Sequence, residues 1–520
     1  MFSEKTPHES NGMLPSWKRY ILQTTQSWRW PNYFPTSRQV NGPDYVALLP
    51  ESSRTSSDVE LGYLKPTSRR IRNPTLDKIH TALLTIFGLL WAAIRPNILT
   101  KKEKRELHQS AWLDGIRGVA AFFVFFSHAA EIRWNDLRHG WKHGGYFLQW
   151  PIIRVFYEGS SMVSVFFVVS GFAISYKALK LAKAQEHGKI FDTLVSSTFR
   201  RGIRLYLPCA AITLLRAITN YIRGTKGAAP TFWIMLWRWV KVVVSGVNPL
   251  RLDKWYFNGS FRQLERVMWT IPVEFRGSMV VFLCILVVAK ARHAQRMAAI
   301  AALIAWSCCV GEWDIVLFVS GTFLCELHHR TSSNSGSNGG DTSFLWRFLS
   351  ASASILLLLP LLYVLSQPES YWGNGDTPIS GWLDAHTPAA WVENKMEAGN
   401  FWHCIAAVIL IFLVDHSPVL QRFFMSPIPQ YLGEISFSLY LLHPWLIDLV
   451  GRKIVFFMFR RMKELGPGIG PEYLGAILCL ILFLPLLFWV SDISTRWFDR
   501  GGVRLARWAE DRFYSVNARS

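Results

Sequence analysis

The feature that most constrains this chain is a succession of long apolar runs that a soluble core could not absorb. Ten stand out, at about 112–132, 160–177, 203–221, 268–289, 297–310, 313–327, 346–366, 401–415, 431–450 and 472–491. A helix needs ~20 mostly apolar residues to cross the hydrocarbon of a bilayer. Charged residues make up only 18% of the 520, against roughly 25% in soluble domains, so too little polar surface exists to shield such runs in water. A disordered chain, a disulfide-rich secreted domain and an ordinary soluble enzyme are thereby excluded. The expected fold is all-α, a polytopic membrane helical bundle of about ten transmembrane helices.

Charge placement sets the expected topology. The net charge of +20 would suit nucleic acid, but the basic residues cluster between apolar runs, at 101–105, 200–204, 290–296 and 500–507. Positive charge is placed this way on the cytosolic side of membrane spans, so the expected partner is the lipid bilayer and not nucleic acid. Ten spans leave both termini cytosolic. Four regions follow: a polar N-terminal tail (1–79, with no secretory signal peptide), an interfacial helix at 81–94 with a basic linker (80–109), a transmembrane domain (110–495) and a basic C-terminal tail (496–520). The stretch 233–247 is apolar but carries Arg238 and Lys241, so it is expected to lie on the surface. The sequon at Asn258 then faces the lumen and is open to glycosylation. One run objects to this topology, because 452–463 holds five basic residues yet falls on the lumenal side. The Ser/Asn/Gly-rich stretch 328–340 reads as a cytosolic linker. The seven cysteines include no CxxC pair, and His139 and His143 lack an obvious third ligand, so no metal site is expected.

Ionisable residues inside spans are costly, and each is a functional candidate until explained otherwise. In the first span His128 follows Arg117 by eleven residues, nearly three helical turns, so the two share a face about 16 Å apart. That spacing suits two ends of one long ligand better than a direct contact. Asp114 stands three residues before Arg117 and is placed to pair with it. Ser170 and Gly171 are small residues that permit close helix contact. Arg201 and Arg204 would form one cationic face, and arginine's planar fork suits phosphates. Glu274 and Arg276 are two apart on a helix, face different sides and each need a partner elsewhere. Ser436, Tyr440 and His443, at i, i+4 and i+7, make a polar stripe on an apolar helix. Histidines offer acid–base chemistry and arginines a phosphate clamp, which a thioester donor with a phosphorylated nucleotide handle would use together.

Taken in order, these motifs resemble one family. Trp112-Leu113-Asp114-Gly115-Ile116-Arg117-Gly118 with His128, and Phe166-Phe167-Val168-Val169-Ser170-Gly171-Phe172, resemble the opening signature of the membrane-bound acyltransferase 3 family. Arg201-Gly202-Ile203-Arg204 before Pro208 is similar to its arginine motif, residues 269–274 to its Trp-Ser/Thr-Leu-x-x-Glu element, and 435–443 to its closing Ser-Leu-Tyr-Leu-x-His element. The wording of 269–278 is closest to fungal members, many of which are proposed to tailor secondary metabolites. The resemblance implies an acyl-CoA-dependent O-acyltransferase, with acyl-CoA (acetyl-CoA first) as co-substrate and no permanently bound cofactor. It implies His128 as catalytic residue, Glu274 or His443 orienting it or the acceptor, and Arg117, Arg201 and Arg204 on the CoA phosphates. The expected acceptor is a small lipophilic hydroxylated metabolite, and the expected location the endoplasmic reticulum or another endomembrane. No soluble esterase-like domain follows the last apolar run, which disfavours a cell-wall or lipid-linked glycan as acceptor. From another functional class, a proton-coupled transporter would use His128, Glu274 and His443 as a relay.

Overall fold

In the computed structural model, the described residues run from 107 to 515, apart from 109, 135–136, 138, 142–145, 226–228, 248–264, 335–343, 369–376, 393–399, 465 and 467. The N-terminal tail, the helix expected at 81–94, His143 and the Asn258 sequon lie outside them. The described part is helical, with no strand, as expected for a chain that must satisfy its backbone within each segment. In chain order the main helices are α1 (Ala111–Ala130), α2 (Gly159–Lys183), α3 (His187–Ile222), α4 (Phe232–Val247), α5 (Thr270–Val288), α6 (His293–Cys309) and α7 (Trp313–Asn334). They continue with α8 (Phe344–Leu365), α9 (Asn400–His416), α10 (Pro427–Leu446), α11 (Arg452–Lys463), α12 (Ile469–Ser494) and α13 (Arg500–Ser515).

Every one of the ten predicted segments falls on a helix, but by length and apolarity the number of spans is smaller. Five described helices pass outright, Ala111–Ala130, Gly159–Lys183, His187–Ile222, Arg266–Val288 and Gly470–Tyr514. A sixth is reached if α9 and Pro418–Phe424, bent by 100°, count as one broken span. The others are short or interrupted by polar residues: α6 has 17 residues, and α7 carries Glu326, His328 and His329. Many apolar side chains nonetheless point away from the protein interior, among them Leu283 and Val287 on α5, Leu356 on α8 and Ile477 and Ile481 on α12. Such outward apolar faces are suited to lipid.

Three stretches singled out in the sequence take definite form. Helix α7 runs on to Asn334, so the first part of the supposed 328–340 linker is helical, and His328 Nδ1 pairs there with Asp415 at 2.7 Å. Helix α4 has 16 residues, short of a span, and its Trp239 indole donates to the Ala210 carbonyl of α3. The objecting run 452–463 is the short amphipathic helix α11, in which Arg452 is neutralised by Asp448 and Arg461 by Glu464.

Glycine sets the two crossings on which the site depends. A Cβ on Gly118 would fall 2.2 Å from the Gly433 nitrogen, and one on Gly433 2.4 Å from the Asp114 carbonyl oxygen. No real Cβ contact is that short, so α1 and α10 meet backbone to backbone. Likewise a Cβ on Gly171 would lie 2.1 Å from the Phe318 carbonyl oxygen, and one on Gly321 2.2 Å from that of Val168, locking α2 to α7. Around these contacts Trp112, Phe172, Phe318 and Met268 are fully buried, with Trp112 edge-on to Phe172.

Candidate active site

The close approach of α1 and α10 brings the Arg117–His128 face against the Ser436–Tyr440–His443 stripe. Arg117 Nε donates to Ser436 Oγ at 3.1 Å, and its Nη2 pairs with Asp114 at 3.0 Å. Nearly three turns further along α1, the His128 ring stacks on that of His443, with centroids 5.3 Å apart and planes 22° apart. His443 is fully buried, and its Nδ1 lies 3.1 Å from the Leu439 carbonyl. A carbonyl only accepts, so Nδ1 carries the proton and Nε2 keeps its lone pair. Nε2 is enclosed without a hydrogen-bond partner. Between the two levels, the Tyr440 hydroxyl donates to the Val267 carbonyl at 2.9 Å and meets Thr270 Oγ1 at 2.9 Å, tying α10 to the start of α5.

Glu274 is held elsewhere. Arg201 Nη2 donates to it at 2.8 Å, Ser170 Oγ donates to it at 3.4 Å, and Arg201 Nε reaches Ser278 Oγ at 3.0 Å. Of the two residues expected to orient His128 or the acceptor, Glu274 bonds Arg201 and Ser170, whereas His443 lies beside His128, as does Glu131. The partner each of Glu274 and Arg276 needs is supplied, since Arg276 pairs with Glu312 at 2.6 Å.

Two cavities are lined by residues of the helices that carry the histidine pair. One of about 400 Å³ is walled by Arg117, Lys177, Arg200, Arg201, Arg204 and Arg507 against Glu274, Glu434 and Asp499, and also by Ser170, Ser436 and Tyr440. Six cations against three acids give the lining a positive balance, and Arg204 stands exposed at its wall. The other, of about 370 Å³, is almost wholly apolar, with Phe125, Phe126, Ala129, Ile447, Phe459 and Phe483 in its lining. Both cavities draw on α1 and α10: Arg117, Ser436 and Tyr440 line the first, and Phe125, Phe126, Ala129 and Ile447 the second, whereas His128 and His443 line neither. Phe125, in the apolar lining, packs edge-on against the His443 ring at 6.2 Å.

Helix α13 forms part of the basic C-terminal stretch, and its Arg507, Val503 and Ala506 wall the cationic cavity, while Glu510 pairs with Arg200 at 3.1 Å. Only the tertiary fold reveals Arg507 and Lys177 as site residues. Glu131, by contrast, carries a signal in the sequence itself, its spacing of three from His128. Among the described residues no group of three metal-ligating side chains occurs.

The fold and site together are those of a helical protein with apolar outward faces suited to a membrane, a stacked histidine pair and a cavity lined by cationic side chains. The family model of acyltransferase 3, described as an acyltransferase domain, matches residues 110–496, and the chain belongs to that family. Its curated relatives are fungal. It is 29% identical over 440 residues to the O-acetyltransferase PaAT-1 of Phomopsis amygdali, covering 79% of this chain and 86% of the relative. It is 23% identical to the acyltransferase clz18 of Cochliobolus lunatus over 65% of this chain and 78% of that one, and 21% identical to the acyltransferase R4 of a Phoma species over 74% and 95%. No solved structure matches the chain.

Proposed function

We propose that the protein transfers an acyl group, acetyl in the first instance, from acyl-CoA to a hydroxyl of a small lipophilic acceptor, as a tailoring step in fungal secondary metabolism. The observation that carries this reading is the stacked His128–His443 pair on two helices that also line a cationic and an apolar cavity. A CoA thioester brings phosphates at one end and a carbonyl at the other, which suits arginines separated from a histidine by about 16 Å along α1. An apolar acceptor suits the second cavity, whose lining offers little to bind a sugar. The relative named an O-acetyltransferase supports acetyl as the group and oxygen as the acceptor atom.

In the proposed reaction His128 takes the proton of the acceptor hydroxyl as its oxygen attacks the thioester carbonyl. The carbon–sulfur bond breaks, and the proton returns to the departing CoA sulfur. His443 packs against the His128 ring and limits its orientation. Arg117, Arg204, Lys177 and Arg507 hold the phosphates, with Arg201 kept in place by Glu274. The test is acyl-CoA consumption by purified protein supplied with hydroxylated apolar acceptors. Absence of any CoA release would favour a proton-coupled transporter instead.

Two further expectations arise here. Arg204→Ala should raise the KM for acyl-CoA about tenfold, since a charge-assisted contact contributes ~1.5–3 kcal/mol, and leave the acceptor KM and the melting temperature unchanged. Arg201→Ala should also lower the melting temperature, because it strips Glu274 of its ion-pair partner. Equal KM changes for donor and acceptor in Arg204→Ala would reduce Arg204 to a topology anchor. The second concerns location. We place the enzyme in the endoplasmic reticulum or another endomembrane, with Asn258 lumenal and glycosylated. Endoglycosidase treatment of the expressed protein should sharpen its mobility on a gel, and Asn258→Gln should remove that shift.

A further inference from the structure

We infer that Glu131 is the positioning residue of His128, held in place by Arg266, so that the base works as a carboxylate–imidazole dyad. This rests on the reading of His128 as general base. Glu131 follows the last turn of α1, its backbone N–H bonded to the Ser127 carbonyl, and its spacing of three puts its carboxylate on the His128 side of the helix. One carboxylate oxygen faces His128 Nδ1 at 3.5 Å, and the other faces Arg266 Nη1 at 3.5 Å. His128 Nδ1 is itself enclosed without a hydrogen bond at this distance, so a small side-chain adjustment toward Glu131 gives it one.

The chemistry follows from the tautomer. With Nδ1–H directed at Glu131, the lone pair sits on Nε2, where a base must have it. When Nε2 takes the acceptor's proton, the carboxylate stabilises the imidazolium that forms. Arg266 keeps the carboxylate ionised and turned toward the ring. Its own position at the start of the span Arg266–Val288 is fixed through its neighbour Glu265, which accepts from Arg216 at 2.8 Å. Arg216 in turn pairs with Asp448 in the turn after α10. The network thereby links α1, α3, α5 and α10 around the histidine pair, whereas Glu274 serves the cationic cavity.

The experiment is a mutant cycle on purified protein, read as kcat and KM for acyl-CoA. Glu131→Gln should lower kcat by about ten- to a hundredfold, the scale of a misplaced catalytic group, with KM within twofold of wild type. Glu131→Asp should recover a large part of the loss, and Arg266→Gln should lower kcat in the same direction by less. In a His128→Gln background, Glu131→Gln should cost nothing more, because the two act as one unit. A general structural role would instead multiply the two losses, and that result would overturn the inference. So would wild-type kcat in Glu131→Gln, or a rise in KM alone. If His128→Gln itself kept full turnover, the proposed function would fall with the inference; an inactive His128→Gln beside a normal Glu131→Gln would sink only the positioning role.

Discussion

His128→Gln is expected to leave the helical bundle assembled and to cut acyl transfer by about two to four orders of magnitude, the usual range for loss of a general base. Glutamine keeps a hydrogen-bonding side chain of similar reach but cannot accept the proton. The substitution also spares the glycine contacts that hold α1 against α10, which lie about three to three and a half turns away at Gly118 and Gly115 or on the facing helix. Loss of activity in a protein that still elutes as a single species in detergent is thus a chemical defect. The measurement is CoA release at saturating donor, compared with His443→Gln. Near-normal turnover by a folded His128→Gln protein would remove His128 as the base and leave His443, with its enclosed Nε2, as the remaining candidate.

The second large effect is expected from Gly118→Val. The added Cβ alone would lie 2.2 Å from the Gly433 nitrogen and 2.5 Å from the Leu432 carbonyl carbon, and these are backbone atoms of a buried helix that cannot swing aside. Overpacking a core typically costs about 1–3 kcal/mol, and a clash with backbone belongs at or above the upper end. Helix α1 must move away from α10. That separates Arg117 from Ser436 and unstacks His128 from His443, so stability and turnover are lost together. Thermal unfolding of the purified protein in detergent provides the check. A Gly118→Val protein with wild-type melting temperature and kcat would show that the α1–α10 crossing is not the scaffold of the site. Gly188→Ala is the matched control, since nothing lies within 4 Å of a Cβ there.

Much of this protein is legible in its sequence because hydropathy and helical period are local properties. The apolar runs fixed the positions of ten helices, and the period of 3.6 put Arg117 in phase with His128, Asp114 beside Arg117, and Ser436, Tyr440 and His443 on one stripe. Each pairing within a helix could be read directly, and the Asp114–Arg117 contact at 3.0 Å follows from spacing alone. The number of helices that cross a membrane could not be read so simply. Broken helices such as α9, and polar interiors such as that of α7, make apolarity an uneven guide to length. Partners between helices were illegible for a different reason. Sequence spacing says which face a side chain occupies but not which helix meets that face. Glu274 thus awaited Arg201 from α3, and His128 met His443 from a helix more than three hundred residues later. The basic stretch after residue 500 shows the same limit. As sequence it is a charged, amphipathic segment of no stated destination, and only its docking on α3, through Arg200 and Glu510, carries Arg507 to the wall of the cationic cavity. Local period determines what a helix can offer; the packing of glycine against backbone, which depends on both surfaces at once, decides to whom it is offered.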